Sequence, residues 1–289
     1  MAELPGTPYP FLKGHGTEND FVLLPDHDGV VHGELSAARV RALCDRRAGI
    51  GGDGVLRVIR TEHVAAGRGQ DAAWFMDYRN ADGSFSEMCG NGVRVFGRHL
   101  AERGLVDPSA PVPVATRAGV KTLEFAGGRA DGEITVDMGA PKLLGDTEVA
   151  VTDHGGRRRW SARHVDMGNP HAVVLLPEGD DLADAGALLD PPAYDPAVYP
   201  EGVNVEFVVR RAPRHVAMRV HERGSGETRS CGTGACAVMV AAAEADGGAR
   251  DVDYRVDLPG GTLRIRWTAD DRVLMTGPAV VVAEGTTAL

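Results

Sequence analysis

A four-residue pattern, Cys-Gly-polar-Gly, occurs twice in this chain of 289 residues, and each copy runs directly into an apolar stretch. The first copy is residues 89–92 and the second is residues 231–234, so about half the chain separates the two cysteines. A local motif repeated at such a distance indicates two similarly built halves. This repeat constrains the fold more than any other feature of the sequence.

Both cysteines are predicted to lie at the start of a helix. Apolar residues recur at helical spacing after Cys89, and the run 235–243 after Cys231 is apolar on nearly every side, which is typical of a buried helix. Unpaired N–H groups and the positive end of the helix dipole lower the pKa of a thiol at such a position, so we expect reactive cysteines. The glycines would let backbone N–H groups approach a bound anion closely.

The other two cysteines are interpreted as core residues. Cys44 ends a predicted helix over residues 37–44 that Ser36 would cap. Cys236 lies five residues after Cys231, about 140° further around a helix, so these two thiols point apart. Four scattered cysteines with no C-x-x-C pair indicate neither a disulfide scaffold nor a metal site.

Strands are predicted for most of the remaining sequence. The N-terminal region is interpreted as a strand at residues 11–13, a polar loop at 14–20 that lines a site, and a strand at 21–25. The glycine-rich segment 49–54 leads from a loop into a strand, whereas phosphate-binding loops lead from a strand into a helix. A nucleotide site is therefore not predicted there.

Composition excludes several classes of partner. The formal net charge of −10 argues against nucleic acid and anionic membranes, and only three lysines are present as candidates for a Schiff base. The N-terminus lacks the pattern of a signal peptide, and no apolar run approaches the roughly 20 residues that span a bilayer. We expect a soluble, cytoplasmic protein whose partner is a small molecule.

Two thiols at helix N-termini suit inversion of a carbon centre. A catalyst that inverts such a centre removes a proton from one face and returns one to the other, which two bases of matched character can do without a cofactor. The helix N-termini could hold the substrate carboxylate and stabilise the charge that develops as the α-proton leaves.

The polar motifs of the chain, in their order, resemble those of the diaminopimelate epimerase family. The matching segments span nearly the whole chain: residues 13–21 (Lys-Gly-His-Gly-Thr-Glu-Asn-Asp-Phe), 80–84 (Asn-Ala-Asp-Gly-Ser), 88–92, 168–171, 202–204 and 222–234. Cys-Gly-x-Gly alone is weakly specific, whereas the ordered combination is highly specific. The resemblance implies cofactor-independent interconversion of LL- and meso-2,6-diaminopimelate, on the route to lysine and to peptidoglycan precursors.

The resemblance also implies an α/β (α+β) fold of two pseudo-symmetric domains, each a curved, mostly antiparallel sheet around a central helix. The expected domains are residues 1–130 with 276–289, carrying Cys89, and residues 131–275, carrying Cys231. A homodimer is the family expectation.

The site residues implied by the resemblance fall into three groups. Cys89 and Cys231 would be the acid/base pair, and His171 and Glu222 would adjust the pKa values of the thiols. The substrate would be bound by Asn19, Asn80, Gly90, Asn91, Asn169, Asn204, Glu222, Arg223, Gly232 and Thr233. No metal and no cofactor is expected. Many relatives carry glutamine where this chain has Gly54, so a substrate contact is in doubt at that position.

Two alternative functions stay open from the sequence. A proline or hydroxyproline racemase would share the two-cysteine logic, but a small monocarboxylate would leave Arg223 and the asparagines with less to bind. A dithiol redox or binding protein without turnover is the alternative from a different class.

Overall fold

The computed structural model describes residues 7–153 and 156–289, which contain three α-helices and eighteen strands. The helices are α1 (Ala37–Cys44), α2 (Gly90–Glu102) and α3 (Gly232–Ala245). The strands are β1 (Tyr9–Gly16), β2 (Asn19–Pro25), β3 (Gly54–Arg60), β4 (Trp74–Asn80), β5 (Val112–Thr116), β6 (Gly119–Phe125), β7 (Ile134–Asp137), β8 (Lys142–Asp153), β9 (Gly156–Asp166), β10 (Pro170–Leu175), β11 (Ala193–Tyr194), β12 (Asn204–Ala212), β13 (His215–Glu222), β14 (Gly226–Thr228), β15 (Val252–Leu258), β16 (Gly261–Trp267), β17 (Val273–Gly277) and β18 (Val280–Thr287). Short 3₁₀ turns lie at Thr61–His63, Ala65–Gly67, Ala126–Gly128 and Leu182–Ala185.

The described chain forms two compact units. The first runs up to Val136 and includes Gly277–Leu289, and the second is Asp137–Thr276. In the first unit the strands neighbour one another in the order β18-β1-β2-β3-β4-β5-β6-β7. The pairs β2–β3 and β4–β5 are parallel and the others are antiparallel, so the sheet is mostly antiparallel.

The second unit repeats this pattern pair by pair. Its order is β8-β9-β10-β12-β13-β15-β16-β17, and the third and fifth pairs, β10–β12 and β13–β15, are again the parallel ones. Strands β11 and β14 are short additions that pair with β8 and β13. The expectation of two similarly built α+β halves is confirmed at the level of strand order.

One helix lies against the centre of each sheet. Helix α2 contacts β18 and β1 to β5, and α3 contacts β9, β10, β12, β13, β15 and β16. Residues 90–101 of α2 are all buried, as is α3 from Gly234 to Ala243. Since six strands contact each helix, the sheets curve around them. Both helices were predicted from the apolar runs that follow the cysteines.

The opposite face of each sheet has its own apolar layer. In the first unit α1 packs there through Val40, Leu43 and Cys44. In the second unit the segment between β10 and β12 covers the sheet, with Leu188 and Tyr199 packed on Val205 and Phe207. The predictions that Cys44 and Cys236 belong to the core are confirmed, since both side chains are buried.

The prediction of a polar loop over residues 14–20 is wrong. Strands β1 and β2 form a hairpin whose turn is only Thr17 and Glu18, both in the left-handed region with φ of 48° and 62°. Two consecutive positive φ values suit the twist of a two-residue hairpin. The sequence concealed this turn because such a turn usually carries glycine or asparagine. His15 and Asn19 are therefore held on paired strands at the hairpin end.

No helix within residues 7–153 and 156–289 is long and apolar enough to cross a membrane.

Candidate active site

Cys89 is the N-cap of α2. Its backbone is extended, with φ of −139° and ψ of 122°, and its Sγ accepts a hydrogen bond of 3.4 Å from the N–H of Gly92. A side-chain acceptor at this position satisfies one of the helix donors that has no backbone partner. The cap holds the half-buried thiol at the positive end of the helix.

Side-chain amides contact the Cys89 thiol within the first unit. The Oδ1 atom of Asn19, at the start of β2, lies 3.5 Å from Cys89 Sγ and 3.2 Å from Nδ2 of Asn91. Asn91 is buried, and its own Oδ1 accepts a 2.8 Å hydrogen bond from the fully buried Arg94. The amides of Asn19 and Asn91 thus form a hydrogen-bonded pair beside this thiol.

A charged cluster fixes the orientation of Asn19. Its Nδ2 donates to Asp53 Oδ2 at 2.7 Å, which turns Oδ1 toward Cys89. Arg46 bridges Asp53 and Asp20 at 2.7 and 2.6 Å, and Lys13 pairs with Asp20 at 2.5 Å. Burial raises the pKa of Asp20, but the hydrogen bonds from Arg46 and Lys13 outweigh it and hold that pKa well below its usual range.

Two further predicted positions lie near this cluster. Asn80, at the end of β4, bonds Ser84 Oγ at 3.0 Å and closes the turn that leads toward Cys89. Gly54 pairs with Asn80 across β3 and β4. A Cβ at residue 54 would lie 2.5 Å from the Arg79 carbonyl oxygen and 2.6 Å from Cε2 of Tyr78, so no side chain fits there. The substrate contact that the sequence left in doubt at residue 54 is therefore not made by a side chain of this residue.

Cys231 repeats the capping geometry at the start of α3. Its φ of −122° and ψ of 113° are close to those of Cys89, and Sγ accepts from the N–H of Gly234 at 3.4 Å. Thr233 Oγ1 lies 3.6 Å from the sulfur. This thiol is only 6% exposed, so it is more deeply buried than Cys89.

The expectation of a lowered thiol pKa is wrong for Cys231. Burial raises its pKa well above the usual value of a thiol, and the negative charges of Glu222 and Glu206 raise it further. The hydrogen bonds from Thr233 and Gly234 act in the opposite direction and are outweighed. The carboxylates come from β12 and β13, which the sequence pattern could not place next to the helix start.

Glu222 ends β13 and contacts this thiol. Its carboxyl group accepts hydrogen bonds from Thr228 and from Cys231, and burial raises the pKa of Glu222 above its usual range. An acid with a raised pKa next to a thiol can exchange a proton with it.

His171 and Asn169 lie at the start of β10, which pairs with β12. The Nδ1 atom of His171 is 2.7 Å from Glu206 Oε1, and Nε2 is 3.1 Å from Asn169 Oδ1. Parallel pairing of β10 and β12 sets His171 opposite Asn204. Asn204 Oδ1 in turn accepts a 2.9 Å hydrogen bond from the backbone N–H of Arg223. The exposed Arg223 side chain donates to the Glu201 carbonyl oxygen at 3.0 Å.

Within each unit, the structure brings together most of the residues that the sequence predicted. Cys89, Gly90, Asn91 and Asn19 share the first helix start, and Cys231, Gly232, Thr233 and Glu222 share the second. Sequence reasoning missed Asp53, Arg94 and Glu206. Glu206 had a usable signal, because it is a lone carboxylate in the apolar strand that follows Asn204. Arg94 also had a signal, because it and Arg98 are charged residues within a helix predicted to be buried.

No group of three or more His, Cys, Asp or Glu side chains within the described residues could hold a metal ion.

Solved structures share this architecture along nearly the whole chain. A phenazine biosynthesis protein of the PhzF family from Bacillus anthracis aligns with a TM-score of 0.69, at 15% identity over 97% of this chain and 99% of that one. A probable proline racemase from Agrobacterium radiobacter aligns with a TM-score of 0.65, at 18% identity over 97% and 93%. The chain thus has the mixed α+β fold of these proteins, with a cysteine capping the central helix of each unit.

Sequence comparison narrows this class to one family. The profile described as diaminopimelate epimerase matches residues 11–144 and 163–282, and the chain belongs to that family. The diaminopimelate epimerase of Streptomyces coelicolor is 57% identical over 95% of this chain and 94% of its own length. That of Corynebacterium glutamicum is 44% identical over 96% and 97%, and that of Thermobifida fusca is 46% identical over 95% and 96%.

Proposed function

We propose that this protein is an isomerase that interconverts LL-2,6-diaminopimelate and meso-2,6-diaminopimelate, a reaction of lysine and peptidoglycan precursor biosynthesis. The observation that carries the proposal is the family match, which runs through both cysteine-capped helices. High identity to curated diaminopimelate epimerases over almost the full length of both chains gives the substrate.

The proposed reaction uses Cys89 and Cys231 as two bases. One thiolate removes the proton from the α-carbon, and the thiol of the other cysteine donates its proton to the opposite face of the same carbon. Each turnover leaves the thiolate and the thiol exchanged, and the reverse reaction uses them in the opposite roles. The scheme therefore requires both sulfurs to reach one α-carbon from opposite sides.

The helix starts supply the remaining chemistry. Backbone N–H groups of Gly90, Asn91, Gly232 and Thr233 are proposed to bind the carboxylate next to the reacting carbon. Donors at a helix N-terminus bind anions and stabilise the charge that spreads onto this carboxylate as the proton leaves. Since the N-cap cysteines precede these donors in the chain, base and anion site are held by the same turn.

The other predicted residues are proposed to bind the end of the substrate that is distal to the reacting carbon. Arg223 is exposed and carries a guanidinium group that suits bidentate binding of the distal carboxylate. The amides of Asn19, Asn80, Asn169 and Asn204 offer donors and acceptors for the distal amino and carboxylate groups.

Glu222 is proposed to move the proton of Cys231. A thiol with a strongly raised pKa is protonated at neutral pH, so Cys231 is proposed to start as the acid, and the two-base scheme then assigns the role of base to Cys89. For the opposite direction Cys231 must lose its proton, and the Glu222 carboxyl group is its hydrogen-bonded acceptor. His171, in β10, is proposed to influence Cys231 through its contact with Glu206.

Incubation with LL-diaminopimelate in deuterated water tests the function. We expect meso product with deuterium at one α-carbon, because the donated proton comes from a thiol that exchanges with solvent. Proline incubated in parallel should neither racemise nor take up label. Turnover of proline without turnover of diaminopimelate would exclude the proposal.

Three smaller points stay predictions from the family resemblance. The domain boundaries at residues 130 and 276 can be tested by limited proteolysis. A homodimer can be tested by light scattering during gel filtration, and a cytoplasmic location by cell fractionation.

A further inference from the structure

Glu206 is a buried carboxylate with an unusual set of neighbours. It lies in β12 between Val205 and Phe207, and its side chain has no exposure. Val205 and Phe207 point into the apolar layer on one face of the sheet, so Glu206 and Asn204 point to the other face, where α3 lies. A carboxylate in such a place is costly unless it is paired and hydrogen-bonded.

Among the described residues, His171 is the hydrogen-bond partner of one oxygen of the Glu206 carboxylate, and the other oxygen has none. Oε1 is 2.7 Å from Nδ1 of His171, whose side chain is equally inaccessible. Oε2 has no hydrogen-bond partner among the described residues. One oxygen of the carboxylate thus contacts the His171 ring, and the carboxylate as a whole lies next to the N-terminus of α3.

Gly234 makes this approach possible. A Cβ at residue 234 would lie 2.7 Å from Glu206 Oε1 and 3.2 Å from Cys231 Sγ. The second glycine of the Cys-Gly-x-Gly motif therefore admits the carboxylate against the helix turn that holds the thiol. At Gly92, the matching glycine of the first unit, the atoms nearest to an added Cβ are instead Cys89 Cβ, Leu56 Cδ2 and Phe21 Cζ, at 3.4, 3.4 and 3.5 Å.

Both ring nitrogens of His171 face acceptors. Nδ1 faces Glu206 Oε1, and an ionised carboxylate only accepts, so donation from Nδ1 fits this contact. Nε2 lies 3.1 Å from Asn169 Oδ1, and with the amide in this orientation donation from Nε2 fits as well. With its oxygen engaged, Asn169 turns its NH₂ group away from the ring.

We propose that Glu206 is a positioning residue that keeps His171 protonated on both ring nitrogens and thereby makes Asn169 present its NH₂ group to the substrate. The role in substrate binding rests on the proposed function, whereas the protonation of the ring does not. A neutral ring would accept at Nε2 and turn the Asn169 amide around, so that an oxygen would face the substrate carboxylate.

Nitrogen NMR of ¹⁵N-histidine-labelled protein at pH 8, without substrate, tests the ring directly. The wild-type protein, with His171 assigned by comparison with His171→Gln, should show a doubly protonated ring. Glu206→Gln should show a neutral ring with the proton on Nδ1, and Glu206→Asp should retain the charged form. A neutral His171 in the wild-type protein, or an unchanged signal in Glu206→Gln, would overturn the proposal.

Kinetics then test the link to Asn169. We expect Glu206→Gln to raise KM for diaminopimelate about fivefold with a smaller change in kcat, because the lost contact binds ground state and transition state alike. Adding Glu206→Gln to Asn169→Ala should raise KM no further, since both act through one amide. Additive effects would contradict this link. Absence of turnover in the wild-type protein would remove the proposed function and leave the NMR result standing.

Glu148→Gln is the matched control. The variant makes the same Glu-to-Gln change in the same unit, but at an exposed carboxylate that pairs with Arg159 at 2.5 Å. It should change neither the His171 signal nor KM. If Glu206→Gln does not fold, the wild-type and Glu206→Asp spectra still decide the state of the ring.

Discussion

The N-termini of α2 and α3 share their backbone geometry but differ in the charges around the capping sulfur. Next to Cys89, Asn19 Oδ1 lies 3.5 Å from the sulfur, and the nearby carboxylates Asp20 and Asp53 are paired with Lys13 and Arg46. Cys231 is buried next to Glu222 and Glu206, whose negative charges raise its pKa. The same local motif can therefore lie in very different electrostatic surroundings.

The comparison teaches that capping alone does not make a thiol acidic. Hydrogen bonds from Gly234 and Thr233 lower the pKa of Cys231, yet burial and two carboxylates outweigh them. In the proposed two-base reaction one thiol must start charged and the other neutral, and the raised pKa of Cys231 favours its neutral form. The two halves are alike in strand order and unlike in the charges that the strands deliver.

The largest effect is expected from removing either capping thiol. Cys89→Ala and Cys231→Ala should each lower kcat for epimerisation by at least about a hundredfold, because each removes one proton-transfer group. Activity is measured as conversion of LL- to meso-diaminopimelate. Cys44→Ala, at a buried thiol that caps no helix, is the matched control and should keep its turnover. Full activity in either capping variant would break the two-base scheme.

Lowering the pH should destabilise the protein through a buried histidine in the helix of the first half. Burial lowers the pKa of His99 in α2 to about 4 from 6.5, and neither ring nitrogen has a hydrogen-bond partner among the described residues. The unfolded chain binds this proton first as the pH falls. The free energy of unfolding should thus drop from about pH 6.5 down to pH 4, by roughly 3 kcal/mol from this residue.

Urea unfolding between pH 7.5 and 4.5 measures this loss. His99→Leu should make the dependence on pH shallower, because leucine binds no proton. His63→Leu, at a half-exposed ring, is the control and should leave the slope as it is. An equal slope in His99→Leu and the wild-type protein would show that His99 does not set the acid sensitivity.

Removal of the Glu222 charge should make the Cys231 thiol more acidic. In Glu222→Gln the pKa of Cys231 should fall, because a neighbouring negative charge is lost. Thiolate absorbance at 240 nm, followed during a pH titration in the Cys89→Ala background, reports on Cys231. A pKa of Cys231 that stays unchanged would assign the asymmetry to burial alone.

The smallest effect is expected from the solvent-exposed network of the first half. Asp53→Ala frees the Asn19 amide and should raise KM about fivefold, comparable to one lost hydrogen bond. The change should shrink at 0.5 M salt, because Asp53 and Arg46 are half-exposed and their attraction is screened. Asp131→Ala, at an exposed carboxylate paired with Arg129, is the control for a general charge effect. A salt-independent KM would contradict the role of this network.

The sequence by itself determined the repeated device: two cysteines capping two buried helices, the core positions of Cys44 and Cys236, and the family. These features are local, since apolar spacing, glycine pairs and caps act within one or two turns of the chain. Only the tertiary structure decided that residues 14–20 form a hairpin, that Gly54 has no room for a side chain, and that Glu206 and Glu222 surround Cys231. Those features depend on which strands pair side by side, and the acidity of a thiol follows from the charges and burial that this pairing brings to it.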